Sequence, residues 1–210
     1  MIRFLYVYKK NIVMIEGKYV NLRALEKEDL EAIKKWRNDK NTRIHTREYR
    51  LLNMINQNNW FESIHRQNPP SAIMFGIENK KNKLIGVCGL TYIDWKNRHA
   101  EISNILSMVN WQRTKEAKNT LELLIDYGFN ELNLHRLWVE IFDTIPENIK
   151  LFERMKFVKE GTLKEKLWRN SQWYDSFIYS KVNQTLKHTK KKSAPQLPNT
   201  KPKPAFGLSC

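Results

Sequence analysis

Residues 100–134 read AEISNILSMVNWQRTKEAKNTLELLIDYGFNELNL, and this stretch decides the fold. The run over 99–107 alternates as a strand does, with Ala100, Ile102 and Leu106 on one face and Glu101, Ser103 and Ile105 on the other. A short basic connection over 111–115 follows. Ala117, Leu121, Leu124, Ile125, Gly128 and Leu132 then recur at helical spacing and predict one long amphipathic helix. A strand, a tight polar loop and a helix start together make a phosphate-binding geometry. The first N–H groups of a helix lack partners within it, and its dipole favours an anion there.

Working outward, residues 18–25 alternate as a strand, with Tyr19, Asn21 and Arg23 opposed to Val20, Leu22 and Ala24. EKEDLEAIKKWRND (26–39) reads as a helix, acidic in its first turn and basic in its second half, with Leu30, Ile33 and Trp36 inward. The mixed polarity of 41–53 predicts an irregular connection, and 55–65 a further helix buried along Trp60, Phe61 and Ile64. Residues 71–78 and 84–94 are apolar runs joined by NKKNK, a hairpin signal. Beyond the long helix, HRLWVEIF (135–142) is a strand. Pro146 suits the first position of a short helix through Met155 with Ile149 and Phe152 inward, and 157–168 and 173–182 form a hairpin around RNSQ. This order predicts one α+β domain with a mixed, largely antiparallel sheet of about seven strands and flanking helices.

The 210 residues suit one domain with appendages: an extension over 1–13, a domain over 14–182 and a disordered basic tail over 183–210 that carries no acidic residue. A hydrophobic share of 41% excludes wholesale disorder, and a formal net charge of +15 makes anions the favoured partners. Cys88 and Cys210 are too few and too far apart for a disulfide framework or a zinc site, so no metal is expected. The apolar run near the start is broken by Lys9 and Lys10 and is too short to span a bilayer. The expectation is a cytoplasmic protein with no membrane partner, monomeric or homodimeric. Lys187 and Lys190, Lys191 and Lys192 in the tail offer a weak RNA or ribosome contact, without the interleaved aromatics of a recognised module. No Gly-x-Ser-x-Gly elbow, Walker loop or HExxH helix supports a hydrolase, NTPase or zincin.

Five stretches, NLRALEKEDLEAIKKWRND, LIGVCGLTYIDWKNRHAEISNIL, LELLIDYGFNELNLHRLWVEIF, KLFERMKFVKEG and WRNSQWYDSFIYSKV, lie in the order and spacing of one family. Together they resemble the GNAT acetyltransferase superfamily, nearest its ribosomal-protein N-terminal and nucleotide-linked amino-sugar acetyltransferases. The resemblance implies a GNAT fold with a splayed central strand pair and acetyl-CoA lying in the gap. Its pantetheine would pair with backbone near Ile105, Leu106 and Ser107. Its pyrophosphate would sit on the loop of Gln112, Arg113, Thr114, Lys115, Glu116 and Ala117, with Lys118 close by.

Two departures from the family pattern stand out. The loop resembles Gln/Arg-x-x-Gly-x-Gly/Ala, but Arg113 and Lys115 replace its glycines. A side chain forced to positive φ there costs roughly 1–2 kcal/mol. In the short helix, Phe152 stands where a tyrosine usually protonates the CoA thiolate, and Lys156 replaces a glycine. Ile145 stands where an asparagine often starts the helix, and Asn148 is the substitute candidate.

Acetyl transfer to an amine needs a base for the ammonium proton and a donor to the thioester oxygen. Glu140, within the family's Trp-x-Glu pattern, and Glu101 are the candidate bases or water-holders; each also reads as a solvent-facing strand residue paired with a lysine. His99 and His135 flank strands as candidate proton shuttles or strand-end hydrogen-bonding groups, and Cys88 reads as a small buried hydrophobe. The resulting expectation is direct transfer from acetyl-CoA to a primary amine of a protein N-terminus or a nucleotide-linked amino sugar. The alternative is a GNAT-fold binding protein impaired in catalysis.

Overall fold

The computed structural model describes residues 14–106 and 111–184, and of Asn104, Ile105 and Leu106 the backbone alone. Ser107, the extension over 1–13 and the 183–210 tail beyond Gln184, including its expected RNA contact, lie outside the described residues. Asn183, counted with that tail, is instead buried, and its N–H donates to the His135 carbonyl at 2.8 Å. The strands are β1 (Met14–Glu16), β2 (Val20–Ala24), β3 (Ile73–Asn79), β4 (Leu84–Asp94), β5 (His99–Leu106), β6 (Arg136–Phe142), β7 (Val158–Arg169) and β8 (Gln172–Val182). The helices are α1 (Leu30–Asn38), α2 (Lys40–Arg43), α3 (Met54–Arg66), α4 (Lys115–Asp126) and α5 (Pro146–Arg154). The sheet has eight strands rather than about seven. The addition is the three-residue β1, too short to show an alternation, which pairs antiparallel along β2. A second correction concerns the connection after α1, which is not wholly irregular: Asp39 caps one helical turn by accepting from the Asn41 N–H at 2.9 Å.

The strand order is β1-β2-β3-β4-β5-β6-β8-β7, and every pairing is antiparallel except β5 with β6. The tight turns fall on residues that tolerate a left-handed backbone: Asn82 between β3 and β4, and Asn170 with Ser171 between β7 and β8. Strand alternation divides the side chains between two layers. Val20, Leu22, Ala100, Ile102, Leu137, Val139 and Ile141 enter the main core, which α4 and α5 close with Leu121, Leu124, Leu151 and Phe152. On the other face, Val87 joins Leu25, Leu30 and Ile33 in a smaller core closed by α1 and α3, with Trp36, Trp60 and Phe61 at its edge.

Helix α4 is buried beyond its apolar stripe. Asn119, Thr120 and Leu123 are buried as well, and Asn119 Oδ1 accepts from the backbone N–H of Tyr19 at 2.7 Å and of Val20 at 3.2 Å. That approach requires Gly17, where a Cβ would lie 2.6 Å from Leu123 and 2.7 Å from Asn119 Oδ1. Arg23 reaches the second face and ties β2 to Asp29 and Glu78, each at 2.7 Å. Removing one partner of such a buried network leaves an uncompensated charge.

Helix α5 begins at Pro146, as expected, and ends in a left-handed cap. The Lys156 N–H donates to the Glu153 carbonyl at 2.9 Å, and the Phe157 N–H to the Phe152 carbonyl at 3.0 Å. The Phe152 and Phe157 rings meet edge-on, 5.2 Å apart. Lys156 pays for this closure with φ of 64°, a region that glycine enters freely and an L side chain does not. Lys156→Gly is therefore expected to stabilise the fold by about 0.5–1 kcal/mol, the left-handed strain outweighing glycine's unfolded-state entropy. The measurement is the urea unfolding midpoint with its slope unchanged.

Candidate active site

Strands β5 and β6 pair over three residues only, His99 with Arg136, Ala100 with Leu137 and Glu101 with Trp138. Beyond Glu101, β5 follows β4 as far as Leu106, and beyond Trp138, β6 follows β8 as far as Phe142. The two strands therefore part, and the β5 backbone from Ile102 to Leu106 has no register partner on β6. A cavity of about 760 Å³ opens there. It is walled by both strands, by Ile145 and Asn148 at the start of α5 and Phe152 in its last turn, and by the segment 45–50.

The alternation that places Ala100, Leu137 and Val139 in the main core turns Glu101 and Glu140 to the opposite face, toward this cavity. Their side chains are only 5% and 7% exposed, and both meet Arg47. Arg47 Nη1 and Nη2 donate to Glu101 at 2.9 and 2.5 Å, while its Nε and Nη2 donate to Glu140 Oε2 at 3.0 and 2.6 Å. The other Glu140 oxygen accepts from Ser176 Oγ at 2.6 Å. Burial pushes the Glu140 carboxyl up, but the Ser176 and Arg47 hydrogen bonds and the Arg47 charge outweigh it and hold it below its ordinary value. Burial opposes the charge on Arg47 too, and the Glu101 and Glu140 carboxylates more than compensate, raising its pKa.

Arg47 sits on a strap over the cleft, held by contacts separate from its own side chain. His45 Nδ1 pairs with Thr144 Oγ1 at 2.9 Å, next to the start of α5. Arg169, at the β7–β8 turn, donates to the Thr46 carbonyl at 2.8 Å and the Arg47 carbonyl at 3.3 Å. Asn38 and Leu52 exchange two hydrogen bonds of 2.7 and 2.8 Å where the strap returns. Within it, Arg50 grips Glu48 and brings that carboxyl down to about 2. Burial lowers the His45 pKa, which favours the neutral ring.

Of the expected cofactor positions, Ile105 and Leu106 are on the free backbone edge of β5, paired on its other side with Val87 and Gly86. Neither Arg113 nor Lys115 has positive φ, so the missing loop glycines leave no left-handed strain. The loop side chains are engaged within the protein. Thr114 caps α4 by accepting from the Ala117 N–H at 3.1 Å, and Lys115 lies over the Tyr19 ring at 4.8 Å. Arg113 pairs with Glu147 at 2.7 Å, and Lys118 faces Glu122 at 3.6 Å. Gln112 is buried, and its carbonyl accepts from Arg154 at 3.4 Å. Arg113, Lys150 and Arg154 border a recess with Glu147, apart from the main cavity. Asn148 lines the main cavity with a buried Oδ1 that has no hydrogen-bond partner among the described residues.

The structure thus brings Glu101, Glu140 and Asn148 to one cavity and leaves Gln112 to Lys118 outside its lining. Neither glutamate is a solvent-facing residue paired with a lysine. Sequence reasoning missed Arg47 and Ser176. The signal for Arg47 was the length of the 41–53 connection, since long loops within a compact domain tend to be functional. His99 lies 3.7 Å from Asp94, away from the cavity lining, and burial pushes the Cys88 thiol pKa up. Among the described residues, no group of three His, Cys, Asp or Glu side chains is placed to hold a metal, and no helix is long and apolar enough to cross a membrane.

Comparison with known proteins adds an independent finding. Residues 22–178 match the family model described as an acetyltransferase (GNAT) domain. The chain is 30% identical to the uncharacterized N-acetyltransferase YoaA of Bacillus subtilis (strain 168), over 80% of this chain and 96% of that one. It is 28% identical to a spermidine N(1)-acetyltransferase of Vibrio cholerae, over 74% and 88% of the two chains. The crystal structure of spermidine N-acetyltransferase from Vibrio cholerae in complex with CoA and spermine superposes with a TM-score of 0.71. It is 26% identical and covers 78% of this chain and 95% of that one.

Glu48 and Glu140 both have native pKa values depressed below the unfolded ones. Their contribution to stability is present above about pH 4.5 and is lost as the pH falls, for Glu48 down to about 2. The urea midpoint is expected to drop across that window, and to drop less in Glu48→Gln. An equal drop in the variant would contradict the assignment.

Proposed function

The chain belongs to the GNAT family of acetyltransferases and is an acetyl-CoA-dependent N-acetyltransferase, and from that premise we propose that it acetylates a small primary amine held between Glu101 and Glu140. The observation that carries this reading is the convergence of two buried carboxylates, one from each of the parting strands, on a single cation at the cavity. An alkylammonium has no lone pair with which to attack. A carboxylate at this place both attracts it and takes its proton, directly or through water.

The residues of the cleft suit acetyl-CoA. The open β5 edge at Ile102 to Leu106 offers backbone groups to an amide-bearing arm, as a sheet edge does to an added strand. Asn148 Oδ1, without a partner among the described residues, would accept from an N–H of the same arm. Arg113, Lys150 and Arg154, with Lys118 and the start of α4, supply charge and N–H groups for phosphates. Acetyl-CoA supplies the activated acyl group. Phe152 cannot protonate the departing thiolate. A thiolate whose conjugate thiol has a pKa of about 8.5 leaves without that help and takes its proton from water.

The family resemblance implied a protein N-terminus or a nucleotide-linked amino sugar as acceptor, and the names of two relatives add aliphatic polyamines. What supports a small acceptor is the strap, which covers the carboxylates and leaves a cavity of about 760 Å³. Thiol release from acetyl-CoA, measured over a panel of polyamines, amino sugars and N-terminal peptides, tests the reading. Turnover is expected with a small amine, and Glu140→Gln and Glu101→Gln are expected to lower kcat/KM by about 10²–10⁴ for the base and less for its partner. Acetyl-CoA binding by calorimetry should persist in both variants. Undiminished turnover in both would remove the carboxylates from the mechanism.

A further inference from the structure

Arg47 stands where a substrate amine would have to stand. Its guanidinium contacts both carboxylates at 2.5–3.0 Å, and Ser176 takes the remaining Glu140 oxygen. An ammonium cannot reach either base while that cation remains, because the space is filled and like charges repel at such distances.

The two sides of this contact differ in exposure and in the elements that carry them. Glu101 and Glu140 project from paired strands and are almost fully buried, so they are fixed. The Arg47 side chain is 45% exposed and rises from a strap whose anchors are His45–Thr144, Arg169 with the Thr46 and Arg47 carbonyls, and Asn38–Leu52. Its guanidinium can swing outward while the strap stays in place. Leaving two carboxylates so close together without a counter-charge is costly, so the place vacated by a departing guanidinium favours another positive group.

We infer that Arg47 is an internal stand-in for the acceptor's ammonium group, displaced when a positively charged amine binds between Glu101 and Glu140. This rests on the reading of those glutamates as the acceptor site. The exchange is cation for cation, so the pocket admits acceptors that arrive protonated and discriminates against uncharged ones. The ammonium proton then passes to a carboxylate that has lost its guanidinium partner. Arg47 acts through the two glutamates and is a gating residue, not a catalytic one. Its competition reduces apparent acceptor affinity in proportion to the time it spends in place.

The test separates KM from kcat. With an acceptor that the wild type acetylates, Arg47→Gln is expected to lower the amine KM about tenfold while leaving the acetyl-CoA KM alone. Arg47→Lys, whose single ammonium cannot span both carboxylates, should lower it about threefold, and this variant carries the test if Arg47→Gln does not fold. Methylguanidinium should compete with the amine in Arg47→Gln far better than in the wild type, because it refills the vacated place. A higher amine KM in both variants, or equal inhibition of variant and wild type by methylguanidinium, would overturn the inference and leave the acetyltransferase reading standing. Absence of amine acetylation by the wild type would overturn both.

Discussion

Parallel pairing of β5 with β6 lasts three residues, and the site follows from its failure to continue. A sheet that divides leaves backbone N–H and C=O groups without strand partners along its inner edges, and such groups must find partners elsewhere. It also exposes, at the fork, side chains that a closed sheet would have covered. Here those side chains are Glu101, the last paired residue of β5, and Glu140, two residues beyond the last paired residue of β6. One constraint thus supplies both an edge suited to an amide-bearing donor and a charged point suited to an amine.

The fork is costly without a counter-charge. Two nearly buried carboxylates close together demand a cation, and the protein provides one from a loop instead of from the sheet or a core-facing helix. Strands fix the carboxylates to the geometry of the sheet, whereas the strap has anchors that do not depend on the Arg47 side chain. The main core behind the sheet, with α4 buried beyond its apolar stripe and Asn119 pinning the start of β2, supports the fork.

The sequence made the fold legible because alternation and helical spacing are local signals. The stripe from Ala117 to Ile125 and the division between Ala100 and Glu101 both reappear in the structure. β1 was not legible, because three residues carry no period. Half of the site was equally plain, since Glu101 and Glu140 lie on strands of known phase. Arg47 was not: its partners are 54 and 93 residues away, and nothing local distinguishes it from other arginines of a polar loop. The missing glycines invited the opposite error. They suggested a strained loop, yet Arg113 and Lys115 adopt ordinary backbone, and the strain falls at Lys156, where the cap of α5 requires a left-handed residue. The evidence from that loop for an impaired binding protein is correspondingly weaker. Phe152 still lacks the tyrosine hydroxyl, but a thiolate is a leaving group that does without it.

The central claim is that the fork between β5 and β6 is where acetyl donor and amine meet. A crystal structure of the protein with CoA and a bound amine acceptor addresses it most directly. The account predicts the CoA arm along the β5 edge, the amine nitrogen about 3 Å from a carboxylate oxygen of Glu101 or Glu140, and Arg47 turned out of the fork. An amine bound elsewhere, with Arg47 still bridging the two carboxylates, would contradict it.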